Sequence, residues 1–502
     1  MTKLNRNLFD LSHDVKFSCN MGKLIPIMAL ECIPGDKHKI GCESLVRFAP
    51  LISPVMHRFD VTMHYFFVPN RIVWEGWEKF ITNTPYEGTG ELPVPPFLNM
   101  QADNSNHEIG TLADYLGIPY NLDTVTNVID LKVSAIPFAA YQCIYNEYYR
   151  DQNLITKVDY KLIDGNNDFN LDLTPLRTRA WEHDYFTACL PFAQKGAPVQ
   201  IPLGDVELKA PNPTIPGGKI RDTVGNLSPV SPLSNNINGT LISNGVDAVY
   251  DPNGSLEVTP TTINDLRRAF RLQEWLEKAA RGGSRYIEWI KTMFGVTSSD
   301  ARLQRPEYIT GTKTPVVISE VLNTTGIDGE LPQGNMAGHA VAVNHSYQQS
   351  YYCEEHGYII GIMSIMPKPA YQQGLDRHFS RLNDPTQYYF SSFANIGEQE
   401  VLNKEIYSYN NDDELTFGYI PRYAEYRYMP NRVAGDFRTN LDFWHAGRIF
   451  ENSPALNQDF VECDPTQRIF AVEDPEVNKM YVQVYNKVIS VRPIPKYGTP
   501  TF

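Results

Sequence analysis

The residues able to do chemistry are scattered, and none of their groupings has the spacing a reaction needs. "DGNNDFNLDL" at 164–173 begins like a calcium loop, with Asp164, Asn166 and Asp168 at alternate positions. It then fails, because Phe169 stands where such a loop needs its turning Gly and Pro175 where it needs a bidentate Glu. It reads as a polar turn. "RGGSR" at 281–285 is glycine-rich beside a helix start but lacks the phosphate-cradling Lys and the strand that should precede it. "EHDY" at 182–185 puts carboxylates beside His183 without bringing a Ser or Cys to it. Arg267 and Arg271 form an i,i+4 pair, which reads as a solvated helix face or an interface ion-pair donor before it reads as a phosphate site. His57 and His64 lie seven apart in "HRFDVTMHYFFVP", on opposite faces of a strand, and make a poor metal pair. No metal, cofactor or catalytic residue is expected.

The seven cysteines (Cys19, Cys32, Cys42, Cys143, Cys189, Cys353, Cys463) are scattered, with no CxxC pair. That pattern suggests reduced thiols in a cytosolic setting, not a disulfide framework or a zinc site.

The elements that would hold these residues are mostly strands. In 57–69, Phe59, Val61, Met63, Tyr65 and Phe67 share one face while Asp60, Thr62 and His64 share the other, the period of a half-buried strand. Further strands are expected at 23–33, 198–204, 356–367 and 479–493; the nearly continuous apolar run in 356–367 suits the centre of a sheet covered on both faces. Helices are few. Val73, Trp77 and Phe80 at i, i+4, i+7 predict one over 70–81. Thr262 with Asp265 has capping-box spacing for a second that stops at Gly282-Gly283, and a third runs from about 284 to Gly295.

With 29 Tyr, 24 Phe, 36 Pro and 33 Gly in 502 residues, the composition favours short strands joined by many turns. The net charge of −14 disfavours holding nucleic acid by bulk electrostatics, leaving local basic patches or a basic partner. No signal-peptide pattern or membrane-length apolar run occurs, so a soluble protein made in the cytoplasm is expected. The stretch 205–261, rich in Pro, Gly, Asn and Ser, reads as a long surface excursion.

Long blocks carry a resemblance beyond composition. "FDLSHDVKFSCNMGKLIPIMALECIPGD", "IPFAAYQCIYNEYYRDQNL", "RGGSRYIEWIKTMFGVTSSDARLQRPEYITG", "RYAEYRYMPNRVAGDFR" and "LDFWHAGRIFENSPALNQDFVECDP" follow one another in order, and the chain resembles the major capsid proteins of the Microviridae, gokushovirus-like branch, nearly end to end. The resemblance implies an all-β, eight-stranded antiparallel jelly roll over 1–502, with long insertions containing short helices. It implies a structural, non-enzymatic protein that builds a sixty-copy icosahedral shell through pentamers around circular single-stranded DNA. An internal scaffolding protein, a small basic DNA-packaging protein, a pilot protein and a host surface receptor are the partners it implies. Shells would assemble in the bacterial host cytoplasm, with no membrane insertion.

The residues that would carry those contacts can be named. Aromatic and arginine anchors for subunit contact are Trp74, Trp77, the "YNEYYRDQ" cluster (Tyr145, Tyr148, Tyr149, Arg150) and "YAEYRYMPNR" (Tyr423, Tyr426, Arg427, Tyr428, Arg432). The alternative for each is packing of an insertion onto its own barrel. Lys3, Arg6, Lys16, Arg492 and Lys496, with Tyr497 and Phe502 to stack on bases, are candidate DNA contacts. The region 205–261, with Asn226, Asn235 and Asn238, is a candidate threefold protrusion or a variable loop without a receptor role. A β-rich carbohydrate-binding or carbohydrate-processing protein is the competing function; it would need two carboxylates about 5–10 Å apart in a cleft.

Overall fold

The computed structural model describes residues 6–100, 108–119, 131–200, 262–324, 334–345, 347–409 and 414–497, with the backbone of six short strands between 206 and 258. They divide into two compact units, 1–193 with 279–502, and 194–278.

The first unit is built on eight strands: β1 (His13–Cys19), β2 (Ile25–Cys32), β3 (Lys37–Phe48), β4 (Phe59–Pro69), β5 (Glu307–Pro315), β6 (Met336–His345), β7 (Gly357–Pro367) and β8 (Met480–Arg492). They form two antiparallel sheets, one ordered β1-β8-β3-β6 and the other β2-β7-β4-β5. The chain alternates between the sheets except at β4 and β5, which are neighbours. That order is a jelly roll. Strands Asn7–Asp10, Val317–Leu322 and Gln349–Tyr352 extend the first sheet.

Alternation explains the sandwich. In β8, Met480, Val482, Val484 and Val488 point inward and Tyr481 and Gln483 outward. They meet Phe59, Val61, Met63, Tyr65 and Phe67 of β4 in one core between the sheets. Each fully buried apolar side chain of this size contributes about 1.5–3 kcal/mol.

The second sheet is not half-buried, as the pattern of β4 predicts, but covered on both faces. Phe66 and Val68 of β4 and Ile360 and Ile362 of β7 enter a second core with α3 (Ile136–Ile144) and Trp74. The polar residues of that face are satisfied rather than solvated. Thr62 Oγ lies 2.8 Å from Ser364 Oγ on β7, and Arg179 donates to both, at 2.5 and 2.8 Å. The continuous apolar run of β7, between β4 and β2, is buried at every position but half-buried Tyr358, as its sequence predicts.

The helix expected over 70–81 is two short ones, α1 (Asn70–Val73) and α2 (Trp77–Ile81). Trp74 between them is extended and bridges to Leu162. Its indole lies where a side chain on residue 76 would go, 2.7 Å from that Cβ position, so only Gly76 fits. The other two helices form as expected, α4 over Ile263–Arg281 and α5 over Tyr286–Phe294. Thr262 Oγ accepts from the Asp265 N–H at 3.2 Å, and α5 ends on Gly295 in the left-handed region (φ 70°). Of the strand expected at 198–204, residues 198–200 form none and the rest lie outside the described residues.

In the second unit, Lys219–Asp222, Ser234–Asn235, Leu241–Ser243 and Val246–Asp251 form an antiparallel sheet, and Val206–Leu208 pairs with Leu256–Val258. The stretch is therefore more regular than its Pro- and Gly-rich sequence suggests. Asn235 pairs with Leu241; Asn226 and Asn238 lie outside the described residues.

Candidate assembly surfaces

The side chains that resembled reaction centres are spent on holding loops. Asp164 accepts from Trp74 Nε1 (2.8 Å), Tyr86 Oη (3.1 Å) and the Val94 N–H (3.1 Å). Asp168 accepts from the Asn99 N–H at 2.8 Å. Glu182 pairs with Lys313 and Lys368, and Asp184 accepts from Tyr371 Oη at 2.7 Å. Arg285 of the glycine-rich stretch donates to the carbonyls of Asn146 (2.9 Å) and Arg150 (2.8 Å), closing the end of the helical segment that follows α3. Arg271 pairs with Glu274 on the exposed face of α4.

The first group of expected contact anchors is drawn into the chain's own interior. Trp74 is 1% exposed, and Tyr145 and Tyr149 are buried. Tyr149 Oη sits 2.8 Å from His64 Nδ1, and burial pushes that imidazole down to about 4, with the Arg179 charge adding to the effect. His57 is likewise pushed down to about 4 by burial. Tyr148 is half-buried, donating to the Pro306 carbonyl at 2.7 Å under the Arg305 guanidinium, and half-buried Trp77 packs on His356. Half-buried Arg150 bonds the carbonyls of Asp151 and Ile155. These residues pack an insertion onto the barrel. Burial of the outer face of β4 demands them, and that demand is invisible until α3 is seen to lie on the strand.

The second group stays at the surface. Tyr423 is buried, but Tyr426, Arg427, Tyr428 and Arg432 are exposed. Arg381 ties this segment to the next, donating to Tyr426 Oη (2.8 Å) and Glu425 (2.7 Å) beneath the ring of Tyr388. Tyr389 packs against Tyr423 and Tyr426 at 5.2 and 6.0 Å. These two tied segments carry many exposed large apolar side chains, among them Phe379, Leu382, Tyr388, Tyr389, Tyr428 and Met429, with Leu382 80% and Met429 91% exposed. Sequence reasoning found the later segment and missed the earlier one, although "QYYFSSFANI" at 387–396 carries the same aromatic density.

The expected basic contacts do not gather. Arg492 is spent: it donates to the buried Asp36 carboxylate at 2.8 and 3.0 Å and to the Glu31 carbonyl at 2.9 Å. Arg6, over the Tyr352 ring, and Lys496, over the Tyr497 ring, are exposed near the end of β8. Lys16 is exposed but faces Gln483, nine residues back along β8 and so about 30 Å away. Lys3 and Phe502 lie outside the described residues. No helix among the described residues is long and apolar enough to cross a membrane.

A jelly roll with long insertions, its polar groups committed to structure and many aromatic side chains left exposed, suits a protein that packs against other chains. The chain matches the family described as Capsid protein (F protein) over residues 1–502, and it belongs to that family. It is similar to capsid protein VP1 of Bdellovibrio phage phiMH2K, 35% identical over 99% of this chain and 95% of that protein. It is similar also to VP1 of Chlamydia phage 1 (31% identical; 99% and 96% covered) and of Spiroplasma virus 4 (31%; 100% and 98%). The protein is thus a structural component of the virion, the major capsid protein of a small single-stranded-DNA phage of the Microviridae, and not an enzyme. It self-assembles into a shell with the viral genome inside.

Proposed function

We propose that the shell holds sixty copies arranged through pentamers, and that the surface formed by 379–396 and 426–429 is where one copy seats against the next. The exposed aromatic surface carries this reading. Monomeric proteins rarely leave so many neighbouring aromatic and aliphatic side chains in water. Tyr, Trp and Arg also dominate contacts that bury well over a thousand square ångströms. Trp74, Tyr145 and Tyr149 have no part in it; Tyr426, Arg427, Tyr428 and Arg432 do.

Genome contact falls in this reading to Arg6 and Lys496, with Lys16 separate and Lys3 in the same terminal segment as Arg6. A net charge of −14 per copy repels DNA, so a small basic packaging protein or polyamines must neutralise it. An internal scaffolding protein and a pilot protein complete assembly in the host cytoplasm. Residues 205–261, with Asn226, Asn235 and Asn238, form the candidate protrusion that meets a host surface receptor.

Sedimentation of purified protein, alone and with its scaffolding protein, tests the reading. Pentamers near five times 57 kDa that convert to closed particles are expected. The double variant Leu382→Asp/Met429→Asp should keep the wild-type melting temperature yet sediment as monomer. If that variant still assembles, the surface is not the contact.

A further inference from the structure

The corner where β2 turns into β3 brings together three side chains that the sequence leaves far apart. Cys32 closes β2, His38 is the second residue of β3, and Cys353 lies between Gln349–Tyr352 and β7. All three are 0% exposed, and both sulfurs and a ring nitrogen of His38 lie within 4.8 Å of one another. Two backbone hydrogen bonds fix the segments that carry them. The Gly35 N–H donates to the Cys353 carbonyl at 2.8 Å, and the Cys353 N–H to the Asp36 carbonyl at 2.9 Å. The scattered cysteines, read as unrelated thiols, thus include a pair more than three hundred residues apart that meet at a histidine.

His38 is held the way metal-ligating histidines are held. Its Nδ1 sits 2.7 Å from Ser490 Oγ on β8, which fixes the ring. Its Nε2 is buried without a hydrogen-bond partner, 3.4 Å from Asp36 Oδ2. That oxygen is already engaged by the Ile33 N–H and by Arg492, while Asp36 Oδ1 is buried with no hydrogen-bond partner. Unsatisfied buried polar atoms are uncommon and costly, and here one lies beside two thiols and the other on the neighbouring Asp36.

We propose that Cys32 Sγ, Cys353 Sγ and His38 Nε2 bind a zinc ion, with the Asp36 carboxylate, 3.4 Å from that nitrogen, turning in as the fourth ligand, forming a clasp between the two sheets. Thiolate and imidazole together select zinc among common divalent ions. Zn–S and Zn–N bonds of about 2.3 and 2.0 Å put tetrahedral ligands about 3.5–3.8 Å apart, so the three donors, within 4.8 Å of one another, need to close by no more than about 1.3 Å. Binding releases one proton from each thiol, and the two thiolates balance the ion. Arg492 already balances Asp36, so the buried site is neutral.

The clasp would join β2 of one sheet to β3 of the other and to the segment entering β7. A disulfide between the same cysteines would leave both orphaned atoms, His38 Nε2 and Asp36 Oδ1, without a partner.

The test is metal analysis of the purified full-length protein by mass spectrometry, with cobalt(II) substitution read by absorption. About one zinc per chain is expected, with a sulfur-to-cobalt charge-transfer band in the exchanged protein. Cys353→Ser and His38→Ala should lower bound metal at least about tenfold, and Ser490→Ala should weaken affinity roughly 10–100-fold by freeing the ring. Cys143→Ser, remote from the cluster, should change none of this. The wild-type protein supplies a second readout that needs no variant: a strong chelator should lower its melting temperature, and added zinc should restore it. Absence of both zinc and the cobalt band, with melting indifferent to chelator, overturns the proposal. So does a Cys32–Cys353 disulfide in the peptide map.

Discussion

Tyr65 Oη donates a 2.8 Å hydrogen bond to Asn486 Oδ1 across the core between the two sheets. Asn486 in turn donates to the Ile27 carbonyl at 2.8 Å, so one fully buried amide ties β8 to both β4 and β2. A core this apolar tolerates the pair only because each polar atom has a partner. Tyr65→Phe removes the donor and leaves the acceptor buried. It should cost about 1–3 kcal/mol in urea denaturation with little change in the slope.

Phe66 tests whether the second sheet is covered on both faces. Its ring packs on Tyr148 at 4.6 Å and Tyr308 at 5.6 Å, away from the inter-sheet core. A strand wet on that face would lose little from truncation. Phe66→Ala should instead cost about 3–5 kcal/mol, as a core truncation does, measured by chemical denaturation.

Stability should fall as the pH drops through the histidine range. His57 and His64 are each pushed down to about 4 by burial. The unfolded chain takes up these protons near pH 6.5, whereas the folded chain does not until about 4. The contribution is therefore full above about 6.5 and declines between about 6.5 and 4, by up to about 3 kcal/mol for each residue. Melting curves across that window should show it. His64→Gln should flatten the slope there, while the carboxylate-driven loss at lower pH persists.

Arg492 separates a structural cation from a nucleic-acid contact. Arg492→Gln leaves the buried Asp36 carboxylate uncompensated and should cost about 3–5 kcal/mol. Lys16→Gln, at an exposed position on β1, should stay within about 0.5 kcal/mol of wild type. Thermal denaturation of the two variants side by side distinguishes them.

Strands were legible wherever one side of the pattern faced water. Met480–Arg492 alternates cleanly because its outer residues remain accessible, and α4 announces itself through Thr262 and Asp265. The failures share a physical origin in distant partners. Nothing near Thr62 in sequence says that Arg179 will satisfy it, nor near His64 that Tyr149 will cover it. The helix expected over 70–81 has good spacing, but Trp74 leaves the helical path to reach Asp164. For the assembly surface, aromatic content marks candidates and burial then sorts them. Trp74 and Tyr426 look alike in sequence and differ by whether a helix covers them.

The place of β8 has a consequence for how the protein is made. Its register sets Asn486 opposite His13 on one side and Cys42 on the other, so it fills the gap between β1 and β3. While the ribosome is still translating, those two strands wait with open edges, the arrangement most prone to wrong pairing. The first sheet cannot close until residue 492 has left the exit tunnel. A chain released early therefore lacks the strand that completes the fold, and a prematurely terminated product would be a target for chaperones and proteases before it could poison a growing shell.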